Sequence, residues 1–81
     1  MSSRPPALPA NTEDATHVVQ RMVERRVSWP EIVAVVANPS KTVAGHSGRI
    51  NHYAVVNGRR LRVTIDVDGV LWTVAIAEGT A

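Results

Sequence analysis

Residues 50–77 read INHYAVVNGRRLRVTIDVDGVLWTVAIA and contain two dipeptides, Asn57-Gly58 and Asp68-Gly69, each flanked by alternating apolar residues. Asn-Gly and Asp-Gly accept the positive φ angles that a two-residue hairpin turn requires at both central positions. The stretch therefore predicts three antiparallel strands joined by two tight turns.

The two turns also determine which residues face each other across the strands. The first places Tyr53 opposite Arg62, and the second places Ile65 opposite Trp72. Both assign the same side of the sheet to the apolar residues, and a slip of one residue would turn that whole set toward water. The predicted inner face comprises Ile50, His52, Ala54, Val56, Leu61, Val63, Ile65, Val67, Val70, Trp72, Val74 and Ile76. The predicted outer face comprises Asn51, Tyr53, Val55, Arg60, Arg62, Thr64, Asp66, Leu71, Thr73 and Ala75.

Two helices are predicted before these strands. Asn11 or Thr12 can cap the first helix, which is expected to end near Arg26. Its apolar residues recur at helical spacing as one stripe, comprising Ala15, Val18, Val19, Met22 and Val23. Ser28-Trp29-Pro30-Glu31 is a capping box that begins the second helix, and Asn38-Pro39 ends it because a residue before proline avoids helical angles.

A short edge strand is predicted from Lys41 to Gly45. Two helices followed by a four-stranded antiparallel meander predict an α+β fold in which the helices cover one face of the sheet and the other face stays open. The 81 residues predict a single domain of this kind over residues 11–78, after a flexible or extended tail over residues 1–10.

Composition and charge exclude several classes of function. The chain has no cysteine, so it has no disulfide framework and is compatible with a reducing cytoplasm. No apolar run is long enough to span a bilayer and no export signal is evident, which predicts a cytoplasmic protein without membrane contact. The three histidines lack cysteines or clustered carboxylates beside them, and no phosphate-binding glycine loop is present, so neither a metal nor a cofactor is predicted. A net charge of only +2 means that a polyanion partner would depend on local clustering of basic residues.

Residues 16–39, THVVQRMVERRVSWPEIVAVVANP, resemble the family known as domain of unknown function 4258. The matching residues are His17, Arg21, Met22, Arg25, Ser28, Glu31, Asn38 and Pro39, and the later Asn-Gly-Arg-Arg-Leu-Arg-Val run extends the resemblance over most of the chain. The chain departs from the family pattern at Val18, Arg26 and Val27, and it lacks the family's glycine turn between the helices.

The resemblance implies a relationship to RelE-like, ParE-like and BrnT toxins and to barnase- and colicin-like ribonucleases. Catalytic members of that group cleave RNA on a sheet surface without a metal, whereas other members inhibit gyrase or have no established activity. It therefore implies a small toxin-type protein that acts on RNA and has an antitoxin as its partner.

The predicted outer face carries the candidate catalytic residues. A metal-independent ribonuclease needs a base for the 2′-hydroxyl group, groups that stabilise the phosphorane, and an acid for the leaving oxygen. Arg62 and Arg60 are predicted to hold phosphate, Tyr53 to donate a proton or to stack on a base, and Thr64 to donate a hydrogen bond. The central strands provide no outward-facing base.

Two histidines compete for the role of the base. His17 leads the family-like motif, and the sequence leaves open whether it reaches the outer face or packs against the sheet. His52 has inward parity, which favours a hydrogen-bonded core residue over a catalytic one. Arg21 and Arg25 on the first helix are candidates for RNA binding, or they form a solvated helix face.

The same residues also fit a non-catalytic function. Arginine and threonine are ordinary on a solvated sheet, and Arg49 is expected to form a weak surface ion pair with Asp66. The alternative is a protein-interaction module, carried by a phage or mobile element, that binds a host protein or its own copy through the sheet face or the edge strand. A third hypothesis is weak nucleic-acid binding without cleavage, and the sequence leaves a monomer and a homodimer both open.

Overall fold

Both predicted helices form, and their first turns are capped as expected. The computed structural model describes residues 5–77, in which helix α1 spans Thr12–Arg25 and helix α2 spans Trp29–Ala37. The Asn11 side chain accepts hydrogen bonds from the first turn of α1. At α2, the Ser28 hydroxyl accepts from the Glu31 backbone N–H at 3.3 Å, and the Glu31 carboxylate accepts from the Ser28 backbone N–H at 2.8 Å, which confirms the capping box. Within residues 5–77, no helix has the length and apolar character needed to cross a membrane.

Four strands form one antiparallel sheet in the order β1 (Lys41–Ala44), β2 (Ile50–Val56), β3 (Arg59–Ile65) and β4 (Leu71–Ile76). Helix α1 packs against β4, and α2 packs against β2 and β3. A single 3-10 turn over His46–Gly48 connects β1 to β2. The predicted α+β fold is confirmed, with both helices on one face of the sheet.

The first hairpin turns where the sequence predicts. Asn57 and Gly58 have φ angles of 52° and 79°, and Tyr53 lies opposite Arg62 across β2 and β3. Because side chains alternate along a strand, this register buries Leu61 against the helices and directs Arg62 to the outer face.

The second hairpin differs from the predicted two-residue turn. The Asp66 backbone N–H donates to the carbonyl oxygen of Val70 at 3.0 Å, so that residues 67–69 form a three-residue loop. The Asp66 carboxylate accepts hydrogen bonds from the backbone N–H groups of Asp68 (2.9 Å) and Val70 (3.0 Å). An Asp-Gly dipeptide fits both loop lengths, and the Asp66 side chain stabilises the longer one.

The longer loop changes the register at the start of β4. Leu71, instead of Trp72, lies opposite Ile65, and a β-bulge follows between Ile65 and Thr64. Leu71 is fully buried in the core, whereas the Trp72 indole N–H donates to the Asp66 carboxylate at 3.0 Å on the outer side. The predicted places of Leu71 on the outer face and Trp72 on the inner face are therefore wrong.

The core lies between the helices and the inner face of the sheet. Its buried residues are Val18, Val27, Ile32, Val35, Ala54, Leu61, Val63, Ile65, Leu71 and Val74. The core covers only part of the apolar stripe of α1. Val18 is 1% exposed, but Val19 is 45% and Val23 is 71% exposed.

The described part of the predicted tail, residues 5–10, is extended and docks on the sheet. The Ala7 backbone N–H donates to the Gly69 carbonyl oxygen at 2.9 Å, and the Leu71 N–H donates to the Ala7 carbonyl oxygen at 2.8 Å. Pro6 is buried beside this bridge. This docking gives the segment a place in the fold that the sequence did not indicate. Residues 1–4 and 78–81 lie outside the described part of the chain.

The Glu31 carboxylate links the start of α2 to the first hairpin. In addition to the Ser28 backbone N–H, it accepts from the Asn57 side-chain amide at 2.9 Å and from the Arg59 guanidinium at 3.2 Å. These donors favour the ionised carboxylate, with the Ser28 N–H contributing most and the Asn57 amide next, and they lower the pKa of Glu31 from 4.5 to about 2.

The Arg59 guanidinium extends this junction to the end of α1. It donates to the carbonyl oxygens of Arg25 at 2.8 Å and Arg26 at 2.7 Å. The last carbonyl groups of a helix have no partner within the helix, so Arg59 satisfies acceptors that α1 itself leaves open. The Glu31–Arg59 pair thus holds two helix ends and a hairpin together.

Replacing Glu31 should change how stability depends on pH. Because the folded-state pKa is depressed, the carboxylate stabilises the fold above pH 4.5, and this contribution is lost as the pH falls from 4.5 toward about 2. We expect Glu31→Gln to lower the Tm at pH 7 by roughly 5 °C and to lose less stability than the wild type over that acidic range. Thermal unfolding followed by circular dichroism at a series of pH values would measure both effects.

Glu24→Gln is the control, since Glu24 forms only exposed ion pairs on α1 with Arg21 and Arg25. It should leave the Tm at pH 7 within a degree or two of the wild type. If the Tm of Glu31→Gln and the Tm of the wild type changed with pH in the same way, the structural role assigned to Glu31 would be contradicted.

Candidate functional site

The face of the sheet opposite the helices is open and basic. The side chains that strands β1–β4 direct to it include Lys41, Asn51, Tyr53, Arg60, Arg62, Thr64 and Thr73. Within these four strands, the outer face has three basic residues and no carboxylate. The Asp66 carboxylate follows directly after β3. An excess of positive charge attracts ligands of opposite charge, so the strands of this face are suited to an anion.

A hollow of about 230 Å³ lies on this face and is lined by Gly45, His46, Arg49, Asn51, Arg62 and Thr64. We call it the Arg62 hollow. Two strands and the loop after β1 contribute to it, with Arg62 and Thr64 from β3, Asn51 from β2, and His46 and Arg49 from the loop. Segments distant in sequence therefore meet at one polar depression.

The loop before β2 is folded tightly enough to place His46 at the hollow. Ser47 and Gly48 have φ angles of 57° and 75°, and the Gly45 backbone N–H donates to the Arg49 carbonyl oxygen at 2.7 Å. The loop also lies close to β2, because a Cβ atom on Gly45 would lie 3.4 Å from the Asn51 side-chain nitrogen. A larger residue at Gly45 would crowd this edge of the hollow.

Arg62 lines the hollow and also carries an unsatisfied donor. Its Nε atom is buried and has no hydrogen-bond partner in the part of the chain that the structure describes. A guanidinium has five N–H donors and no acceptor, and a buried donor without a partner is costly.

Asn51 and Thr64 form a fixed polar pair beside Arg62. The Thr64 hydroxyl, in a side chain that is 7% exposed, donates to the Asn51 amide oxygen at 2.6 Å. This bond uses the hydroxyl proton that the sequence assigned to substrate. Asn51 retains its amide N–H₂ group as a donor toward the hollow, so the structure favours Asn51 as the neutral donor and Thr64 as the residue that orients it.

Arg49 is held at the rim of the hollow by Trp72. The Arg49 guanidinium carbon lies 4.1 Å from the centre of the Trp72 ring, and the Trp72 indole is itself hydrogen-bonded to Asp66. Among the described residues no Arg49–Asp66 salt bridge forms, while the Arg49 guanidinium stacks on Trp72. Hydrogen bonds from the Val70 backbone N–H and then the Trp72 indole lower the pKa of Asp66, and the Arg49 charge still helps to lower it, so the Asp66 carboxylate stays ionised.

Tyr53 lies next to Arg62 but outside the lining of the hollow. Its ring lies between two cations, the Lys41 ammonium at 5.2 Å and the Arg60 guanidinium at 5.6 Å from the ring centre. The negative face of an aromatic ring attracts such cations. Lys41, Tyr53 and Arg60 therefore form a basic strip, which we call the Tyr53 strip, beside the Arg62 hollow.

Three residues of the predicted site are not brought to this face. His17 is exposed on α1, and Arg21 and Arg25 form ion pairs on α1 with Glu24 at 2.9 and 3.3 Å. Because α1 packs on the inner face of the sheet, all three lie on the other side from the Arg62 hollow. Their predicted catalytic and RNA-binding roles gain no support from this placement.

His52 has the inward position that its parity predicts. It lines a second hollow, of about 370 Å³, between the sheet and the docked segment around Pro6. Its Nδ1 atom is buried without a hydrogen-bond partner among residues 5–77, so the expected hydrogen bond to the core is not seen at this atom.

Sequence reasoning missed His46 and Arg49 as members of the site. Both lie in a loop, where no periodicity indicates which surface a side chain approaches. The usable signal is the pair of glycines at Gly45 and Gly48, which permits a tight turn that returns the chain to β2. Within residues 5–77, no group of three or more His, Cys, Asp or Glu side chains could hold a metal ion.

Inorganic phosphate should bind in the Arg62 hollow. We expect phosphate to shift the NMR signals of the Asn51 side-chain amide and the Arg62 guanidinium, because both residues line the hollow. Arg62→Gln should weaken binding roughly tenfold, whereas Arg21→Gln, which removes the same charge from the helical side, should leave it unchanged. Shifts spread evenly over both sides of the protein, or equal binding by Arg62→Gln, would contradict a built anion site.

Comparison with known proteins identifies no relative of this chain. No protein-family model, no curated protein and no solved structure matches it. The resemblance to the domain of unknown function 4258 stays a prediction from the sequence, and the geometry of the outer face has to support any functional assignment.

Proposed function

We propose that the protein is a small toxin-type ribonuclease that binds RNA on the outer face of its sheet and cleaves it at the Arg62 hollow without a metal. The main support is the Arg62 guanidinium, whose buried Nε atom has no partner within the described residues, on a face where the strands present no carboxylate. A phosphodiester in the hollow would accept hydrogen bonds from the guanidinium group that lines it.

In this proposal, the scissile phosphate lies in the hollow against Arg62. The Asn51 amide and the Arg49 guanidinium hold its other oxygens. Two guanidinium groups then lie where negative charge develops on the phosphorane, which is the arrangement that stabilises such a transition state. Thr64 keeps the Asn51 amide oriented through its 2.6 Å hydrogen bond.

His46 is the proton acceptor in this proposal, a role for which the sequence offered His17 and His52. It takes the proton of the 2′-hydroxyl group, and the 2′-oxygen attacks phosphorus. The bond from phosphorus to the 5′-oxygen breaks, and the 5′-oxygen takes a proton from water. The products are a 2′,3′-cyclic phosphate and a 5′-hydroxyl group, and His46 returns its proton to solvent.

The Tyr53 strip binds the RNA next to the cleaved bond. Lys41 and Arg60 can each contact a neighbouring phosphate, and Tyr53 keeps the two cations in place through its ring. In the proposal Tyr53 is therefore a positioning residue. Contacts of this kind release counterions, so RNA affinity should fall as the salt concentration rises.

A non-catalytic interaction module is the second candidate. All four residues of the edge strand β1 are exposed, which includes Val43 at 42%. An exposed edge can add a strand from a partner such as an antitoxin or a host protein. On this hypothesis the purified protein would form a stable complex with that partner and would leave RNA intact.

Cleavage of RNA in the presence of a chelator tests the first proposal. We expect a 5′-labelled RNA of mixed sequence to be cut in EDTA, to give cyclic phosphate ends, while DNA of the same sequence stays intact. His46→Gln should slow cleavage by about 100-fold or more with little change in RNA affinity, whereas Arg62→Gln should reduce both. Gel analysis of the products and fluorescence anisotropy would measure rate and affinity separately.

Arg21→Gln is the matched control, since it removes one positive charge from the opposite side of the molecule. It should cleave RNA within about twofold of the wild type, and all variants should show the wild-type circular dichroism spectrum. RNA that stays intact over a wide range of protein concentration would refute the catalytic proposal. Equal cleavage by wild type, His46→Gln and Arg62→Gln would assign the activity to a contaminant.

A further inference from the structure

Helix α1 carries apolar surface that its own domain does not cover. Val19 and Val23 are 45% and 71% exposed, although they belong to the same stripe as the buried Val18. Apolar residues that continue a stripe beyond the core indicate a second contact surface on the helix. This surface lies on the helical side of the sheet, away from the Arg62 hollow.

Next to these valines, α1 has a hollow of about 520 Å³. It is lined by residues 9–10 and by Thr12, Ala15, Thr16, Val19 and Gln20 of α1. Four of these positions, 12, 15, 16 and 19, have the spacing i, i+3, i+4 and i+7. This is the set of four residues that forms a hole for one side chain of a facing helix.

A candidate side chain for this hole lies on the same helix. Val23 follows Val19 by four residues, and Ala15 precedes Val19 by four residues. Each lies about 6 Å from Val19 along the helix axis, in opposite directions. Consider a second copy of α1 that runs antiparallel to the first, with a two-fold axis at Val19. Val23 of the second copy would then lie over Ala15 of the first copy. By symmetry, Val23 of the first copy would lie in the hole of the second copy.

The charges at the two ends of α1 agree with this antiparallel arrangement. Glu13 lies in the first turn and Arg26 directly follows the last. Among the described residues, neither side chain forms an ion pair. Two-fold symmetry would place Arg26 of one copy near Thr12 and Glu13 of the other, at both ends of the contact.

We infer that the protein forms a homodimer in which two α1 helices pack antiparallel about Val19. The contact is isologous, since each copy supplies the same exposed valine and the same hole. The occupant of the apolar surface is thus a second copy of this chain. The two outer faces point away from the contact, so both Arg62 hollows remain open.

A disulfide across the two-fold axis tests this geometry directly, because the natural chain has no cysteine. With helix axes about 8–10 Å apart and Cα atoms about 2.3 Å from each axis, the two Val19 Cα atoms would lie about 3.4–5.4 Å apart. That distance overlaps the range of about 4.4–6.8 Å that a disulfide requires. We expect Val19→Cys to give a covalent dimer in high yield under mild oxidation.

Val67→Cys is the matched control, since Val67 is 78% exposed in the β3–β4 loop, away from α1. It should form at least tenfold less covalent dimer under the same conditions. In a second measurement, light scattering should show a dimer for the wild type, a shift toward monomer for Val23→Asp and no shift for Val67→Asp. Both mutated valines are exposed, so circular dichroism should show that each variant folds.

A wild-type protein that stays monomeric at several hundred micromolar would overturn the inference. Equal crosslinking by Val19→Cys and Val67→Cys would also overturn it, as would a wild-type dimer that Val23→Asp leaves intact. None of these outcomes depends on RNA cleavage, so the dimer and the proposed activity are tested independently.

Discussion

The ionic hydrogen bonds between Glu31 and Arg59 join three parts of the chain, namely the end of α1, the start of α2 and the first hairpin. The N-terminal N–H groups of α2 and the C-terminal carbonyl groups of α1 lack partners within their helices. The Glu31 carboxylate accepts from the Ser28 backbone N–H at the start of α2. The Arg59 guanidinium donates to the carbonyl oxygens of Arg25 and Arg26 at the end of α1. The Arg59 side chain is 32% exposed. The desolvation penalty of the pair is therefore smaller than that of a fully buried ion pair.

This junction also anchors the start of the strand that carries Arg62. Arg59 is the first residue of β3, and its side chain reaches back to the helix ends. Arg59 and the adjacent Asn57-Gly58 turn hold the start of β3 in place. Because successive side chains of a strand point to opposite faces, Leu61 is then buried and Arg62 points outward. A structural contact on one side of the molecule therefore positions the guanidinium of the candidate site on the other.

The two sides of the sheet have different surface chemistry. The outer side presents arginine, lysine, tyrosine, asparagine and histidine around a hollow, which suits a phosphate-bearing ligand. The helical side presents exposed valines on α1, which suits an apolar contact. A chain of 81 residues buries only a small core, so a second copy packed on α1 would add buried apolar area without covering the outer side.

The sequence by itself determined the α+β class, both helix starts, the first hairpin and the inner and outer parity of β2 and β3. These features depend on residues close together in the chain, such as the Ser28 capping box and the Asn57-Gly58 turn. Tyr53 and Arg62 could be placed on one face for the same reason. Side chains alternate between the two faces along a strand, so the register of one hairpin is enough to assign both residues to a face.

Only the tertiary structure decided which residues surround Arg62 and which face Trp72 takes. His46 and Arg49 reach the hollow because a loop turns back onto β2, and the Asp66 carboxylate selects a longer loop that exchanges Leu71 and Trp72. No local period encodes these contacts, since each depends on two distant segments meeting in space.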